Sequence, residues 1–218
     1  MARRAERLAP RGTRTPQQAR SRRTREKVLE AALACFEELG YDEATTAAIA
    51  RRARVAVGTL YGYFSDKRVV LLEVLDRTLV EVADQVIRGL DPSLWRAGDL
   101  RESVRRLIDA VFHARTVSPG IQRIIWERYF KDPEFRSAVE TIERRVLHAI
   151  ERLLVVLREE GRLRVEDVGT AAFLIHTSTE WSAARLMLGA SDPQRVDAAV
   201  EATTDMIARF LFRDSIET

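Results

Sequence analysis

The residues of this 218-residue chain with the most specific chemistry lie in one stretch, Thr45-Thr46-Ala47-Ala48-Ile49-Ala50-Arg51-Arg52-Ala53-Arg54-Val55-Ala56-Val57-Gly58-Thr59-Leu60-Tyr61-Gly62-Tyr63-Phe64. Hydroxyls at Thr45, Thr46, Thr59, Tyr61 and Tyr63 alternate with small residues, three arginines are present, and no acidic side chain interrupts. The spacing predicts two short helices, about 46–53 and 57–63, joined by a tight turn, the second kept narrow. A unit of that shape can lay one helix in the major groove of DNA. That chemistry is recognition by hydrogen bonds and charge, with no bond made or broken.

Catalysis would need other parts. The chain has no Gly-rich phosphate loop and no Gly-x-Ser-x-Gly elbow. His113, His148 and His176 fall on three different predicted helices without a His-x-x-x-His spacing, so neither a metal site nor a cofactor is expected. Glu127, Glu140, Glu143, Glu151 and Glu180 read as helix-surface charges or salt-bridge partners. Glu180 lies in a fairly apolar stretch, and burial there would mark it as a ligand or network residue. An enzyme is not expected.

The elements that must position the reader follow from composition. At 46% hydrophobic and 32% charged, with Gly and Pro sparse, the chain can bury a real core and favours helix over sandwich or barrel. No apolar run approaches the roughly 20 residues needed to span a bilayer. The basic Met1-Ala2-Arg3-Arg4-Ala5-Glu6-Arg7 is not followed by an apolar segment, so no secretory signal is expected. The single cysteine, Cys35, sits among apolar neighbours as a small hydrophobe and fits a reducing, cytoplasmic location. Residues 1–68 hold 15 Lys and Arg against 8 Asp and Glu, a balance of +7, and the remainder carries −4. The positive charge is concentrated where the helical pair lies, as a nucleic-acid partner would require.

The periodicity predicts an all-α chain of about nine helices. Residues 1–20, with Pro10, Gly12 and Pro16, read as a disordered basic arm. A first helix starts near Ser21 and stops at Gly40, and Thr45 caps the second. Ser65, with Asp66 beside it, caps a long fourth helix. Further helices are expected at about 100–116, 119–130, 133–160, 166–189 and 193–213. The domain reading is an arm at 1–20, a DNA-binding unit at 21–68 and a helical effector and dimerisation unit at 69–218.

Residues 21–75 resemble the DNA-binding domain of the TetR family of bacterial transcriptional regulators. The matching positions run from Ala32, Phe36, Gly40 and Tyr41 through Thr45-Thr46, Ile49-Ala50, Ala53 and Val55. They continue through Gly58-Thr59-Leu60-Tyr61, Tyr63-Phe64 and Lys67 to Leu71. Two departures stand out: Arg54 occupies the turn position where glycine is usual, and Gly62 replaces a frequent histidine. A non-glycine residue held left-handed costs on the order of 1 kcal/mol.

The resemblance implies roles. Thr46 and Tyr63 would hydrogen-bond phosphates, with Thr45 beside them and Lys67 adding a charge contact. Thr59 and Tyr61 would face base edges or the sugar-phosphate wall, and Val57 could meet a thymine methyl. Gly58 and Gly62 would let the backbone approach without reading sequence. The recognition helix offers no Arg, Lys, Asn or Gln for bidentate base contacts, so DNA shape and phosphates should carry much of the recognition. Arg3, Arg4, Arg7, Arg11, Arg14, Arg20, Arg22, Arg23 and Arg25 would follow the DNA backbone, enter the neighbouring minor groove, or remain a solvated tail.

The last two helices carry apolar stripes suited to a homodimer seam: Ile175, Thr179 and Leu186 on one, Val196, Val200, Thr203, Ile207 and Phe210 on the other. Either stripe could instead face its own subunit. A two-fold dimer implies a palindromic double-stranded operator. Candidate lining for a small apolar or aromatic effector is Phe112, His113, Ile125, Trp126, Tyr129, Phe130, Leu147, Phe173, His176 and Trp181, all equally suited to an ordinary core. The expectation is a homodimeric repressor released from its operator by that effector. The alternative is a regulator of the same architecture without a small-molecule ligand.

Overall fold

A computed structural model describes residues 16–96, 98–116, 119–187 and 192–213. Among the described residues there are ten helices and no strand, apart from one isolated antiparallel bridge between Leu163 and Phe212. The helices are α1 (Pro16–Glu43), α2 (Thr46–Ala53), α3 (Val57–Tyr61), α4 (Lys67–Gly89), α5 (Ser93–Arg96), α6 (Leu100–Thr116), α7 (Pro119–Lys131), α8 (Pro133–Glu159), α9 (Val168–Met187) and α10 (Pro193–Leu211). The helix not foreseen is α5, a single turn whose Trp95 is buried and donates its indole N–H to the Gly89 carbonyl at 2.9 Å. None of these helices is long and apolar enough to cross a membrane.

Two apolar clusters organise the chain. The first joins α1, α2 and α3 through Val28, Phe36, Ile49, Ala50, Leu60 and Phe64 to Val70, Leu71, Val74 and Leu75 of α4. It also takes in Ile121, Ile124 and Ile125 of α7 and Phe135 and Val139 of α8, so the reader's core extends well past residue 68. The second lies around Ala83 and Val86 of α4, Ile108 and Phe112 of α6, Leu153 and Leu157 of α8, and the inner faces of α9 and α10. Helix α4 thus belongs to both.

Three expectations about helix ends are corrected. The first helix begins at Pro16 rather than near Ser21, so residues 16–20 are helical; residues 1–15 of the expected arm lie outside the described residues. The break at Gly40 is present (φ 76°, ψ 175°), but a further helical turn continues to Glu43. At the fourth helix the capping side chain is Asp66, whose carboxylate accepts the Val69 N–H at 2.9 Å, while Ser65 donates its hydroxyl to Asp66. That backbone hydrogen bond, opposed by desolvation and aided by Ser65, holds the Asp66 pKa below the usual carboxylate value.

Candidate nucleic-acid interface and ligand cavity

The reader is fixed by short-range bonds. Thr45, extended at φ −105° and ψ 152°, caps α2 by accepting the Ala48 N–H at 3.1 Å. Arg54 closes α2 in the left-handed conformation (φ 58°, ψ 44°). Its N–H reaches the Arg51 carbonyl at 3.1 Å and that of Val55 reaches Ala50 at 3.0 Å, a paired closure of the helix end. Arg54 is the one non-glycine residue with positive φ among the described residues. Ala50 is fully buried where α2 meets its neighbours, with Ile49, Ala53 and Leu60 also buried and Val55 and Tyr63 packed against them.

Packing of those residues leaves one side of α3 in solvent. Val57, Gly58, Thr59, Tyr61 and Gly62 are all exposed there. The hydroxyl of Tyr61 lies 3.1 Å from that of Thr46. A side chain at Gly58 would find open space, whereas a Cβ at Gly62 would meet the Thr59 carbonyl at 3.3 Å. Lys67 is turned further inward than a free phosphate contact would need. Its ammonium donates to the Tyr41 and Asp42 carbonyls at 2.7 and 3.2 Å and lies 4.3 Å from the Tyr41 ring centre. Arg25, counted with the arm, is paired with Glu73 of α4 instead.

The reader is bolted to the helices behind it. Glu37 of α1 accepts the N–H groups of Gly120 and Ile121, both at 2.8 Å, and so caps α7 from another element. A Cβ at Gly120 would come within 2.4 Å of the Glu37 carbonyl oxygen, so only glycine permits this approach. On the same helix Arg128 stacks its guanidinium 4.1 Å from the Tyr41 ring centre, opposite elements sharing one ring with Lys67. Arg68 joins the start of α4 to the α8 cap, reaching Asp132 at 2.9 Å and Glu134 at 2.7 Å.

Between α4, α6, α7, α8 and α9 lies a cavity of about 310 Å³. Of the expected lining, Ile125, Trp126, Tyr129, Leu147, Phe173, His176 and Trp181 are present. Phe112, His113 and Phe130 are not: Phe112 is fully buried in the second cluster, His113 points outward beside Asp109, and Phe130 is exposed. Sequence reading missed the aliphatic wall from α4 and α6; Glu143, read as a surface charge or salt-bridge partner, is half-buried in the wall, and so is Glu180, whose apolar stretch made burial a sign of a ligand or network residue. Trp126 and Trp181 stack with ring centres 4.7 Å apart, and Tyr129 meets Trp126 edge-on at 6.1 Å. Burial, with the nearby carboxylates of Glu143 and Glu140, pushes the Tyr129 hydroxyl above its ordinary pKa. The Trp126 indole N–H and the Thr179 hydroxyl are buried and reach no hydrogen-bond partner in the protein.

Most of the expected dimer stripe points elsewhere. Val196, Val200, Thr203 and Ile207 are buried in their own subunit, Ile175 and Leu186 pack against that same core, and Ile175 and Thr179 line the cavity. Only Phe210 of that set is exposed. The outward apolar side of α9 and α10 is made by Phe173, Leu174, Trp181, Met206 and Phe210.

Comparison with known proteins decides what this arrangement is. Residues 28–74 match the model of bacterial regulatory proteins of the tetR family, and residues 99–211 match the tetracyclin repressor-like C-terminal domain. The chain belongs to the TetR family. Members are transcriptional regulators rather than enzymes, and the TetR-type helix-turn-helix is the DNA-binding element. The HTH-type transcriptional activator FasR of Mycolicibacterium smegmatis is 29% identical over 198 residues, covering 88% of this chain and 83% of that protein. A putative TetR-family regulator from Mesorhizobium loti superposes with a TM-score of 0.77 at 19% identity, covering 89% of this chain and 99% of that one. A putative regulator from Saccharomonospora viridis, solved in complex with choline, superposes at 0.73 with 19% identity, covering 88% and 99%.

Proposed function

We propose that this TetR-family protein is a homodimeric, effector-responsive repressor that binds a palindromic operator and is released by a small molecule held in the cavity. The observation that carries the reading is the cavity itself: about 310 Å³, mostly apolar, and lined by Trp126 and Thr179, whose Nε1 and Oγ1 are buried with no protein partner. Leaving such groups unsatisfied costs about 1–3 kcal/mol each, and a ligand that completes them recovers that cost. The choline complex of the Saccharomonospora viridis neighbour supports a small-molecule effector in a related fold.

Release follows from linkage. The cavity wall includes Ile125, Trp126 and Tyr129 of α7, and the same helix is capped by Glu37 and stacked on Tyr41 of α1. A ligand that prefers a shifted α7 therefore biases the reader's position, and a two-fold pair of readers loses its match to successive major grooves.

The dimer face is assigned to the outward residues Leu174, Met206 and Phe210, which lie outside the cavity lining and form an apolar surface that a second copy would cover. Selection of bound sequences from a random DNA library tests the reading. A two-fold symmetric consensus is expected. Enrichment of an asymmetric site, or of none, overturns it.

A further inference from the structure

We propose that Arg51 and Arg54 clamp DNA phosphates beside the recognition helix, and that Arg54 is kept in a strained backbone conformation for that contact. The clamp needs only the family's DNA-binding element, so it is independent of the cavity and of the dimer face. Arg54 lies in the turn between α2 and α3 and is the one non-glycine residue with positive φ among the described residues. The left-handed conformation is disfavoured for a residue with a Cβ. Strain of this kind persists only where the surrounding structure imposes it, and it gathers at functional sites. No side-chain contact offsets it here. Arg54 is exposed, and its guanidinium makes no ion pair or hydrogen bond among the described residues.

The other cations of the reader are engaged. Arg52 donates to both Glu38 oxygens at 2.6 and 2.7 Å. Lys67 is bound to the Tyr41 and Asp42 carbonyls, and Arg68 is held by Asp132 and Glu134. Between residues 45 and 68 this leaves Arg51 and Arg54, both exposed, as the cations without a side-chain partner among the described residues. The exposed residues of α3, namely Val57, Gly58, Thr59, Tyr61 and Gly62, carry no charge of their own. In a helix-turn-helix the first helix crosses the DNA backbone and the second meets base edges with its N-terminal residues. Arg51 is in the last turn of α2 and Arg54 is three residues ahead of Val57, so both stand where the chain passes from backbone to groove. The Arg54 N–H, bonded to the Arg51 carbonyl at 3.1 Å, keeps the two together. Their guanidinium groups supply phosphate contacts, which add affinity and fix register without reading sequence.

The test uses the full-length protein and two labelled duplexes of equal length, one enriched by that protein from a random library and a scrambled version of it. Affinity is followed by fluorescence anisotropy across a salt series, and each variant is melted in parallel. Arg54→Gly and Arg51→Gln should each flatten the slope of log affinity against log salt by about 0.9 on both duplexes, about an eightfold loss at about 0.1 M salt. Arg54→Gly should do so while melting no lower than the parent, and Arg54→Lys should keep the parent slope. Should Arg54→Gly fail to fold, Arg54→Asn takes its place as an uncharged residue that tolerates left-handed φ. Unchanged slopes overturn the clamp, as does a loss in Arg54→Lys equal to that of the uncharged variant. A loss confined to the enriched duplex assigns the arginines to base edges and also overturns it, and so does a loss that comes with a lower melting temperature. If the library enriches no sequence, the repressor reading fails, and the slopes on a duplex of random sequence still decide the clamp.

Discussion

The hydroxyls of Thr46 and Tyr61 meet at 3.1 Å, tying the first residue of α2 to the last residue of α3. Both lie at the exposed side of the reader, and Tyr61 is half exposed. The pair holds the phenol at that exposed side, and because the bond uses one of the two hydroxyl protons, one proton and the unused oxygen lone pairs remain available to an outside partner. Removing one hydroxyl should act on recognition more than on folding.

Tyr61→Phe is therefore expected to weaken operator binding by about fivefold, the worth of roughly one net hydrogen bond. The melting temperature should stay within about 2 °C of the parent, since the bond lies in solvent. Fluorescence anisotropy with labelled operator and a thermal melt check the two parts. An equal loss in both would assign the pair to the domain's stability instead.

Arg54→Gly should stabilise the protein. At φ 58° an arginine carries the left-handed penalty that glycine avoids. A gain of about 1 kcal/mol, or 2–4 °C in melting temperature for a chain of this size, is the expected result. A lower melting temperature would show that the Arg54 side chain makes a stabilising contact of its own.

Gly120→Ala should have the opposite sign. The added carbon would press on the Glu37 backbone, so α1 and α7 must separate and the cap on α7 is strained. We expect a loss of about 1–3 kcal/mol by denaturant unfolding. Glu37→Ala removes the cap without the clash and should cost about 1 kcal/mol. Equal stability of both variants and the parent would refute the tight joint.

Deletion of residues 1–15 removes Arg3, Arg4, Arg7, Arg11 and Arg14 and spares the helix that starts at Pro16. If these arginines follow the DNA backbone, the slope of log affinity against log salt falls by about 0.9 per lost phosphate contact. An unchanged slope would reduce the arm to a solvated tail.

Met206→Asp with Phe210→Asp places charge on the outward face of α10. Sedimentation at micromolar concentration should show the parent as a dimer and the variant shifted to monomer, with helical content retained. A dimeric variant would move the seam elsewhere.

Local features were readable in the residues. Thr45 and Arg54 act through bonds to backbone three or four positions away, and short-range rules reach that far. Asp66 and Ser65 are both good caps, and only the path of the chain chooses between them. Long-range features were not. An apolar stripe such as Val196, Val200 and Ile207 announces a buried face but not which neighbour buries it, and here the neighbour is the same subunit. Phe112 and Phe130 look alike as candidates, yet helix rotation buries one and exposes the other. Glu143 resembles a surface carboxylate until α8 and α9 are brought together around the cavity, whereas the apolar stretch around Glu180 already pointed to burial. The bond between Glu37 and Gly120 spans 83 residues and leaves no periodic trace.

That bond bears on how such proteins can be recombined. A chimera that takes this reader up to the middle of α4 and joins it to another regulator's body would strand the Glu37 carboxylate. It would also uncover the apolar surface that Ile121, Ile124 and Ile125 now shield. The transferable module is thus discontinuous in sequence: α1 to the middle of α4 together with the opening turns of α7, and a graft that respects both pieces keeps the reader seated.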